Sequence, residues 1–177
     1  MSRKHKFYNK EGLYFVSFAT VFWVDVFVRD LYFQVLLQSL DFCRKNKGME
    51  IYSWCIMPSH VHLIFHAKES NPGDLLRDLK THTSKAIQAE IENNLQESRK
   101  EWLLGLMKTA GSKNSNIKKR QFWQQHNKPI ELWSPEVIDQ KVEYIHLNPV
   151  VAGFVLEPHH WKYSSAIDYS GGKGLLE

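Results

Sequence analysis

The order of apolar and polar positions along the chain predicts both strands and helices. Three runs are typical of strands: residues 12–24, rich in β-branched and aromatic side chains, residues 49–57 and residues 60–67. Pro58 and Ser59 separate the last two runs and predict a turn between them. The chain therefore begins with elements suited to an antiparallel hairpin.

Between and after these predicted strands, apolar residues recur at helical spacing. One helix is predicted over Leu31 to Lys45. A second begins at Asn71-Pro72, and a last one begins at Ser134-Pro135, because each pair combines a capping residue with a proline at the first helical position. The last helix is expected to end near Pro149.

The resulting order of strand, helix, strand, strand and helix predicts an α+β fold, in which an antiparallel sheet carries helices on one face. A fourth strand within Pro129 to Trp133 would complete a ferredoxin-like βαββαβ sandwich. The stretch from about residue 111 to 121 is polar and basic without periodicity, which predicts a basic loop. The sequence has no internal repeat, and its 177 residues predict a single domain over residues 1–177.

Composition and charge narrow the class of protein. Two cysteines are too few for a disulfide-built scaffold or an all-cysteine zinc site. The longest apolar stretch is broken by polar residues, which predicts no membrane span, and the basic N-terminus lacks the apolar segment of a signal peptide. A cytoplasmic, nucleoid-associated location is expected. The net charge of +4 favours an anionic partner, and nucleic acid above all.

The densest chemical signal is a pair of alternating histidines, His60 and His62, at the start of the third predicted strand. On a strand they share one face, about 6–7 Å apart at the backbone, so both could bind one metal ion. His66 shares that face but lies about 13 Å from His62, too far for the same ion. The pair is expected on the open face of the sheet. Without further support, a half-exposed strand that carries histidines by chance is the commoner interpretation.

A second signal lies on the last predicted helix, where Tyr144 and Asn148 are four residues apart and share one face. Ile138, Val142 and Ile145 form a separate apolar stripe, so Tyr144 is not needed for the core. Two imidazoles and an amide oxygen leave coordination positions open for phosphate and water. This set suits Mg²⁺ or Mn²⁺ acting on a phosphodiester, with a tyrosine hydroxyl as nucleophile.

Taken together, these motifs resemble those of the HUH single-tyrosine transposases, which include the insertion-sequence and REP-associated tyrosine transposases. The matching motifs are Met57-Pro58-Ser59-His60-Val61-His62-Leu63, Tyr144-Ile145-His146-Leu147-Asn148-Pro149-Val150, Ala152-Gly153 and Trp161-Lys162-Tyr163-Ser164-Ser165. The resemblance runs from about Gly12 to Tyr169. The segment Trp123-Gln124-Gln125-His126-Asn127 departs from many REP-associated members, which leaves the subfamily open.

The resemblance implies a ferredoxin-like fold and assigns His60 and His62 as ligands of a divalent metal. It implies that Asn148 completes the metal shell and that Tyr144 attacks DNA. The implied reaction cleaves single-stranded DNA beside a hairpin, leaves a 5′-phosphotyrosine and a free 3′-hydroxyl, and rejoins strands by reversal. Some relatives act as homodimers and others as monomers, so either state is compatible with the sequence.

Basic residues supply candidate DNA contacts. Arg77, Lys80 and Lys85 share or flank one face of the second predicted helix, and Lys118, Lys119 and Arg120 lie in the basic loop before Phe122-Trp123. Such a combination of charge and aromatic rings suits single strands. An ordinary solvated helix face and a mobile solubilising loop explain the same residues equally well.

Three other functional classes stay open at this point. A domesticated or inactive relative would bind DNA without cleaving it. An RNA-binding ferredoxin-like module would stack bases on sheet aromatics, with no metal dependence and no covalent adduct. A replication initiator or relaxase of the wider HUH class would usually be a longer chain. The intact histidine pair and Tyr144 favour an active transposase over the inactive relative.

Overall fold

The computed structural model describes residues 6–115 and 119–176 and contains a four-stranded antiparallel sheet. The strands are β1 (Leu13–Ala19), β2 (Met49–Ile56), β3 (His60–Ala67) and β4 (Ile130–Leu132). The helices are α1 (Asp30–Asn46), α2 (Pro72–Asn93), α3 (Lys100–Ser112), α4 (Pro135–Val151) and the short α5 (Ala166–Tyr169). The strand order is β2-β3-β1-β4. The prediction of an α+β fold built on an antiparallel sheet, with a fourth strand before Ser134, is confirmed.

Strand β3 lies at the centre of the sheet and shows the alternation that its sequence predicts. Val61, Leu63 and Phe65 point into the main hydrophobic core beneath α1 and α2. The intervening side chains, including Ile64, point to the opposite face. His60 and His62 therefore share a face because of the two-residue period of the strand.

The helices cover both faces of the sheet, which corrects the prediction that they lie on one. Helices α1 and α2, which belong to the βαββαβ unit, pack on the face of Val61 and Leu63. Helix α4 lies on the other face, where its stripe of Ile138, Val142 and Ile145 packs on strand residues. The reason is that this face also carries apolar side chains that must be buried, so it needs a cover of its own.

Local capping signals set the starts of α2 and α4 as predicted. The Asn71 side chain accepts a hydrogen bond from the backbone amide of Gly73, and the Ser134 side chain accepts one from that of Val137. Helix α4 runs two residues past Pro149. Proline removes only its own backbone donor, and the final turn is closed by the amide of Ala152, which donates to the Asn148 carbonyl.

The basic loop is shorter than predicted because helix α3 reaches Ser112. Its buried residues Leu103, Met107 and Gly111 recur every four positions, which is the spacing of one helix face. Lys119 and Arg120 lie after this helix, whereas Lys118 falls outside the described residues. Within residues 6–115 and 119–176, no helix is long and apolar enough to cross a membrane.

Candidate active site on the α4 face of the sheet

Two histidines, a tyrosine and an asparagine from distant parts of the chain meet between β3 and α4. The rings of His60 and His62 lie 4.8 Å apart between centroids. The Tyr144 ring lies 5.2 Å from that of His62, and Asn148 Oδ1 lies 3.2 Å from His60 Nε2. The structure thus brings together the four residues that the sequence proposes as one site.

His62 is buried, so the expectation that both histidines lie on the open face is wrong for this residue. Only 3% of its surface is exposed, and its ring stacks on Phe15 at 5.7 Å between centroids. The physical reason is that α4 covers this face. Neither His62 nitrogen has a hydrogen-bond partner within the part of the chain that the structure describes. An unpartnered buried polar group is costly, and a metal ion is one ligand that would satisfy such a nitrogen.

His60 is half-buried beside His62. Its Nδ1 lies 3.2 Å from Ser59 Oγ, and its Nε2 faces the Asn148 amide oxygen. Burial lowers the pKa of His60, while the Asn148 contact and the nearby Asp25 carboxylate act in the opposite direction. Burial also lowers the pKa of His62 to about 3, helped by His60 and Lys141. Both imidazoles are therefore neutral at pH 7 and keep a lone pair for a metal ion.

Helix α4 presents three polar side chains to the histidine pair: Lys141, Tyr144 and Asn148. The spacing of three and then four residues places them on one helical face, next to the apolar stripe that packs on the sheet. Tyr144 is 47% exposed, so its ring is available to a ligand. The prediction that the core does not need Tyr144 is confirmed.

Lys141 is a member of this group that the sequence analysis missed. Its Nζ lies 5.4 Å from the centre of the Tyr144 ring and 5.1 Å from the centre of the Phe15 ring. The signal was present, because Lys141 lies one turn before Tyr144. It could not be recognised without knowing which face of α4 meets the histidines.

The described residues supply no cluster of three or more histidine, cysteine or acidic side chains that could hold a metal ion. Any ion at this site would bind two imidazoles, with the Asn148 amide oxygen beside them. Such a sparse donor set leaves several positions for water and phosphate oxygens, as Mg²⁺ and Mn²⁺ prefer.

Most of the predicted DNA contacts line a groove of about 750 Å³ between α2 and residues 119–127. These residues are Arg77, Lys80, Lys85, Lys119 and Arg120. Three of them are already engaged by protein groups. Arg77 pairs with Asp74, Arg120 pairs with Glu92, and Lys80 Nζ donates to the Gln124 carbonyl and to Asn127 Oδ1.

Lys80 shows why helix position alone does not identify a DNA contact. Its ammonium lies over the Phe18 ring at 5.4 Å, and burial lowers its pKa to about 8. Its contacts tie residues 124–127 to α2. Lys85 and Lys119, by contrast, are exposed on the groove.

The groove and the histidine pair lie on different faces of the sheet. Phe18, beneath Lys80, belongs to the core under α1 and α2, whereas Phe15 and His62 lie under α4. Sequence reasoning could not place the two groups relative to each other. The end of β1 lies between them, because Ala19 pairs with His60 and Thr20 bridges to Trp123, which lines the groove.

Comparison with known proteins identifies the family of this chain. A family model described as "Transposase IS200 like" matches residues 24–119, which is more than half of the chain. The chain belongs to the IS200-like transposase family. The matched region contains the histidine pair and ends before Tyr144, so the placement of Tyr144 rests on the geometry described above.

Two individual proteins are similar to this IS200-like chain over most of its length. A Haemophilus influenzae protein described as a candidate REP-associated tyrosine transposase is 23% identical over 167 residues, covering 93% of this chain and 85% of the relative. A solved REP-associated tyrosine transposase, bound to a REP hairpin, superposes with a TM-score of 0.68 at 18% identity, over 100% of this chain and 91% of that one. The superposition confirms the fold.

Proposed function

We propose that this chain cleaves and rejoins single-stranded DNA beside a hairpin, with Tyr144 as the nucleophile. The observation that carries the proposal is the meeting of Tyr144 with His62, and of Asn148 with His60, across some 80 residues of sequence. The family and the hairpin bound by the solved REP-associated relative support this substrate class. Hairpin-forming single strands are therefore the DNA to test first.

A divalent ion, Mg²⁺ or Mn²⁺, fits the histidine pair in this proposal. The support is the unpartnered His62 nitrogens beside His60 and the Asn148 oxygen. When bound, such an ion would polarise the scissile phosphate and offset its charge. The chain's contribution is to hold two neutral imidazoles and one amide oxygen on rigid elements, β3 and α4.

Tyr144 performs the covalent step. Its hydroxyl oxygen forms a bond to phosphorus while the bond from phosphorus to the 3′ oxygen breaks. The phenol proton is finally carried by the released 3′-hydroxyl, and a 5′-phosphotyrosine remains. Attack by a 3′-hydroxyl on that linkage restores the phosphodiester, so no nucleotide triphosphate is consumed. Splitting the transfer into two displacements conserves the energy of the broken bond.

The experiment that tests this function is a search for a DNA–protein adduct. The purified chain is incubated with end-labelled single strands that carry the palindromes flanking its gene, in Mn²⁺, and then denatured and separated on a gel. Label that migrates with the protein supports the transposase. Binding without an adduct would favour the inactive DNA-binding relative, and preference for RNA would favour the RNA-binding module.

Lys141 adds positive charge where the phosphate must sit. Its ammonium lies over the Tyr144 ring, and the described contacts give it no carboxylate partner. Lys141→Gln is expected to slow single-turnover cleavage by about 10- to 100-fold, because a fixed charge beside the reacting phosphate is lost. Lys141→Arg should retain most of the rate.

The readout that separates this role from a merely structural one is the binding of uncut DNA. Its affinity should change far less than the cleavage rate, since the charge matters most as the phosphate reacts. Equal losses of binding and rate in Lys141→Gln, or no rescue by Lys141→Arg, would contradict the role.

The groove beside α2 is proposed to hold DNA phosphates through Lys85 and Lys119. Changing both to Gln should weaken binding of hairpin DNA and lower the salt slope of log affinity by about 1–2, since each phosphate contact releases counterions. The matched control is Lys45→Gln with Lys68→Gln, which removes the same charge near the β2 edge. An unchanged slope in the groove variant, or the same change in the control, would show that the groove is an ordinary solvated face.

A further inference from the structure

Directly after β1, the backbone adopts a conformation that its side chains disfavour. Phe22 and Trp23 both have a φ of +56°, in the left-handed region where glycine is usually found. Neither residue is a glycine, and both are bulky. Two consecutive residues of this kind store strain that the surrounding structure must maintain.

The surrounding hydrogen bonds hold this turn firmly. The hydroxyl of buried Thr20 lies within hydrogen-bond distance of the carbonyls of Val24, at 2.7 Å, and Ser59, at 3.1 Å, which share its one proton. The Thr20 amide also donates to the Ser59 carbonyl. The Val21 amide donates to the Phe122 carbonyl, and the Trp23 amide closes the turn onto Thr20. The fold therefore clamps both ends of the strained segment.

Burial compensates little for the strain, because both side chains remain about half exposed to solvent. Phe22 is 50% exposed and Trp23 is 57% exposed. Large aromatic rings gain most from full burial, so core packing does not explain why they occupy a costly turn. Observed strain without a packing reward points to a ligand.

The position of the rings indicates which ligand. The Trp23 ring meets the His60 ring edge to face, with centroids 5.4 Å apart, so it borders the proposed metal site. The Lys113 ammonium lies 5.9 Å from the centre of the Phe22 ring. The turn also directly follows Ala19, which pairs with His60, and Thr20, which bridges to Trp123 in the lining of the groove.

We infer that Phe22 and Trp23 form an aromatic platform that stacks an unpaired nucleobase next to the scissile phosphate, with Trp23 as the main contact. This site rests on the proposed function, because the neighbouring phosphate defines which nucleotide reaches it. An indole offers a flat apolar face to any base, and the adjacent Lys113 suits the backbone charge. The platform holds a nucleotide extended, so that its phosphate reaches the histidine pair.

The test measures binding of a single strand that the protein cannot cut. The probe is an oligothymidylate with one 2-aminopurine, and the protein carries Tyr144→Phe in every arm. Adding Trp23→Ala should weaken binding by roughly 5- to 150-fold, the loss expected for one stacked base, and should relieve the quenching of 2-aminopurine. Trp23→Tyr should restore most of both signals, because it restores an aromatic face.

Two controls separate stacking from other effects. Trp133 is 81% exposed and directly follows Leu132, which pairs with Leu13 at the start of β1. His60 pairs with the other end of β1, about 20 Å away along the strand. Trp133→Ala should therefore bind the probe as the parent does. The salt slope should be unchanged in Trp23→Ala, since stacking releases no counterions. The thermal midpoint should also stay close to that of the parent, because the ring is mostly exposed.

Each outcome bears on the inference. The platform would be refuted if Trp23→Ala bound the probe as tightly as the parent, or if Trp133→Ala lost as much affinity as Trp23→Ala. A lower salt slope in Trp23→Ala, or no binding of the probe by the parent, would refute it as well. The adduct assay with Tyr144 intact is scored separately. An adduct without any effect of Trp23→Ala refutes the platform alone. Quenching that depends on Trp23, without an adduct, refutes the transposase function and leaves a single-strand site.

Discussion

Tyr144→Phe is expected to abolish covalent attachment of the protein to cleaved DNA and to lower the cleavage rate by at least about 10⁴-fold. The substitution removes one oxygen, which is the atom proposed to attack phosphorus. The other residues around the site cannot replace it, since imidazoles that bind a metal ion have no free lone pair. The measurement is a denaturing gel of labelled hairpin DNA, followed by mass spectrometry of the DNA-linked peptide.

The same variant should fold and bind as the parent does. The Tyr144 side chain is about half exposed, and its described contacts with Phe15, His62 and Lys141 are made by the ring, which phenylalanine retains. A surface substitution of this kind changes the free energy of unfolding by less than about 0.5 kcal/mol. Affinity for uncut hairpin DNA should also be retained, because the nucleophile contributes to the reaction more than to the ground state.

The chain provides matched controls for this experiment. The Tyr169 ring contacts His146 of α4, the residue is 58% exposed, and its hydroxyl donates to the Tyr52 carbonyl. Tyr163 is mostly buried and bonds Asp30. Tyr169→Phe should cleave normally. An adduct mapped to Tyr163 or Tyr169, or full cleavage by Tyr144→Phe, would refute the assignment of the nucleophile.

Short-range patterns predicted much of this site. The alternation along β3 placed His60 and His62 on one face, and the four-residue interval on α4 did the same for Tyr144 and Asn148. These relations depend only on the geometry of a single strand or helix. The start of α4 could likewise be predicted from the local sequence, because the Ser134 side chain caps the helix.

Relations between elements were harder to predict because they depend on tertiary packing. Nothing in the local pattern shows that α4 covers the histidine face, so the burial of His62 and the approach of Lys141 were both missed. The structural role of Lys80, which the sequence suggested only as a DNA contact, was missed for the same reason, since its partners Gln124 and Asn127 come from a segment over 40 residues away. The positive φ of Trp23 also has no sequence signal, because glycine is absent there.

His62→Leu is the second substitution with a large expected effect, and it tests the metal site without relying on catalysis. In the metal-free protein, leucine replaces a buried ring whose nitrogens lack described partners with an apolar group of similar size. The variant should therefore be as stable as the parent, or more stable by about 1 kcal/mol. Urea or thermal unfolding in EDTA measures this directly.

Adding Mn²⁺ should reverse that order of stability. A ligand that binds only the folded state stabilises it, and at about 100-fold excess over Kd the parent's Tm should rise by roughly 5–10 °C. His62→Leu and His60→Ala should show little rise, and both should lose cleavage, because each removes one of the two imidazole ligands. EDTA should stop cleavage by the parent, and Mn²⁺ should restore it.

His66 provides the internal control for this experiment, since it occupies the same face of the same strand. Its ring faces the Gly12 carbonyl, and it lies about 13 Å from His62 along β3, beyond reach of a shared ion. His66→Ala should therefore keep the Mn²⁺-dependent rise in Tm and the cleavage. If the parent cleaves at full rate in EDTA, or if Mn²⁺ stabilises His62→Leu as much as the parent, the histidine pair does not bind the catalytic metal. In that case the buried His62 would be a packing residue, and Tyr144 would have to act with Lys141 as the nearest described charge.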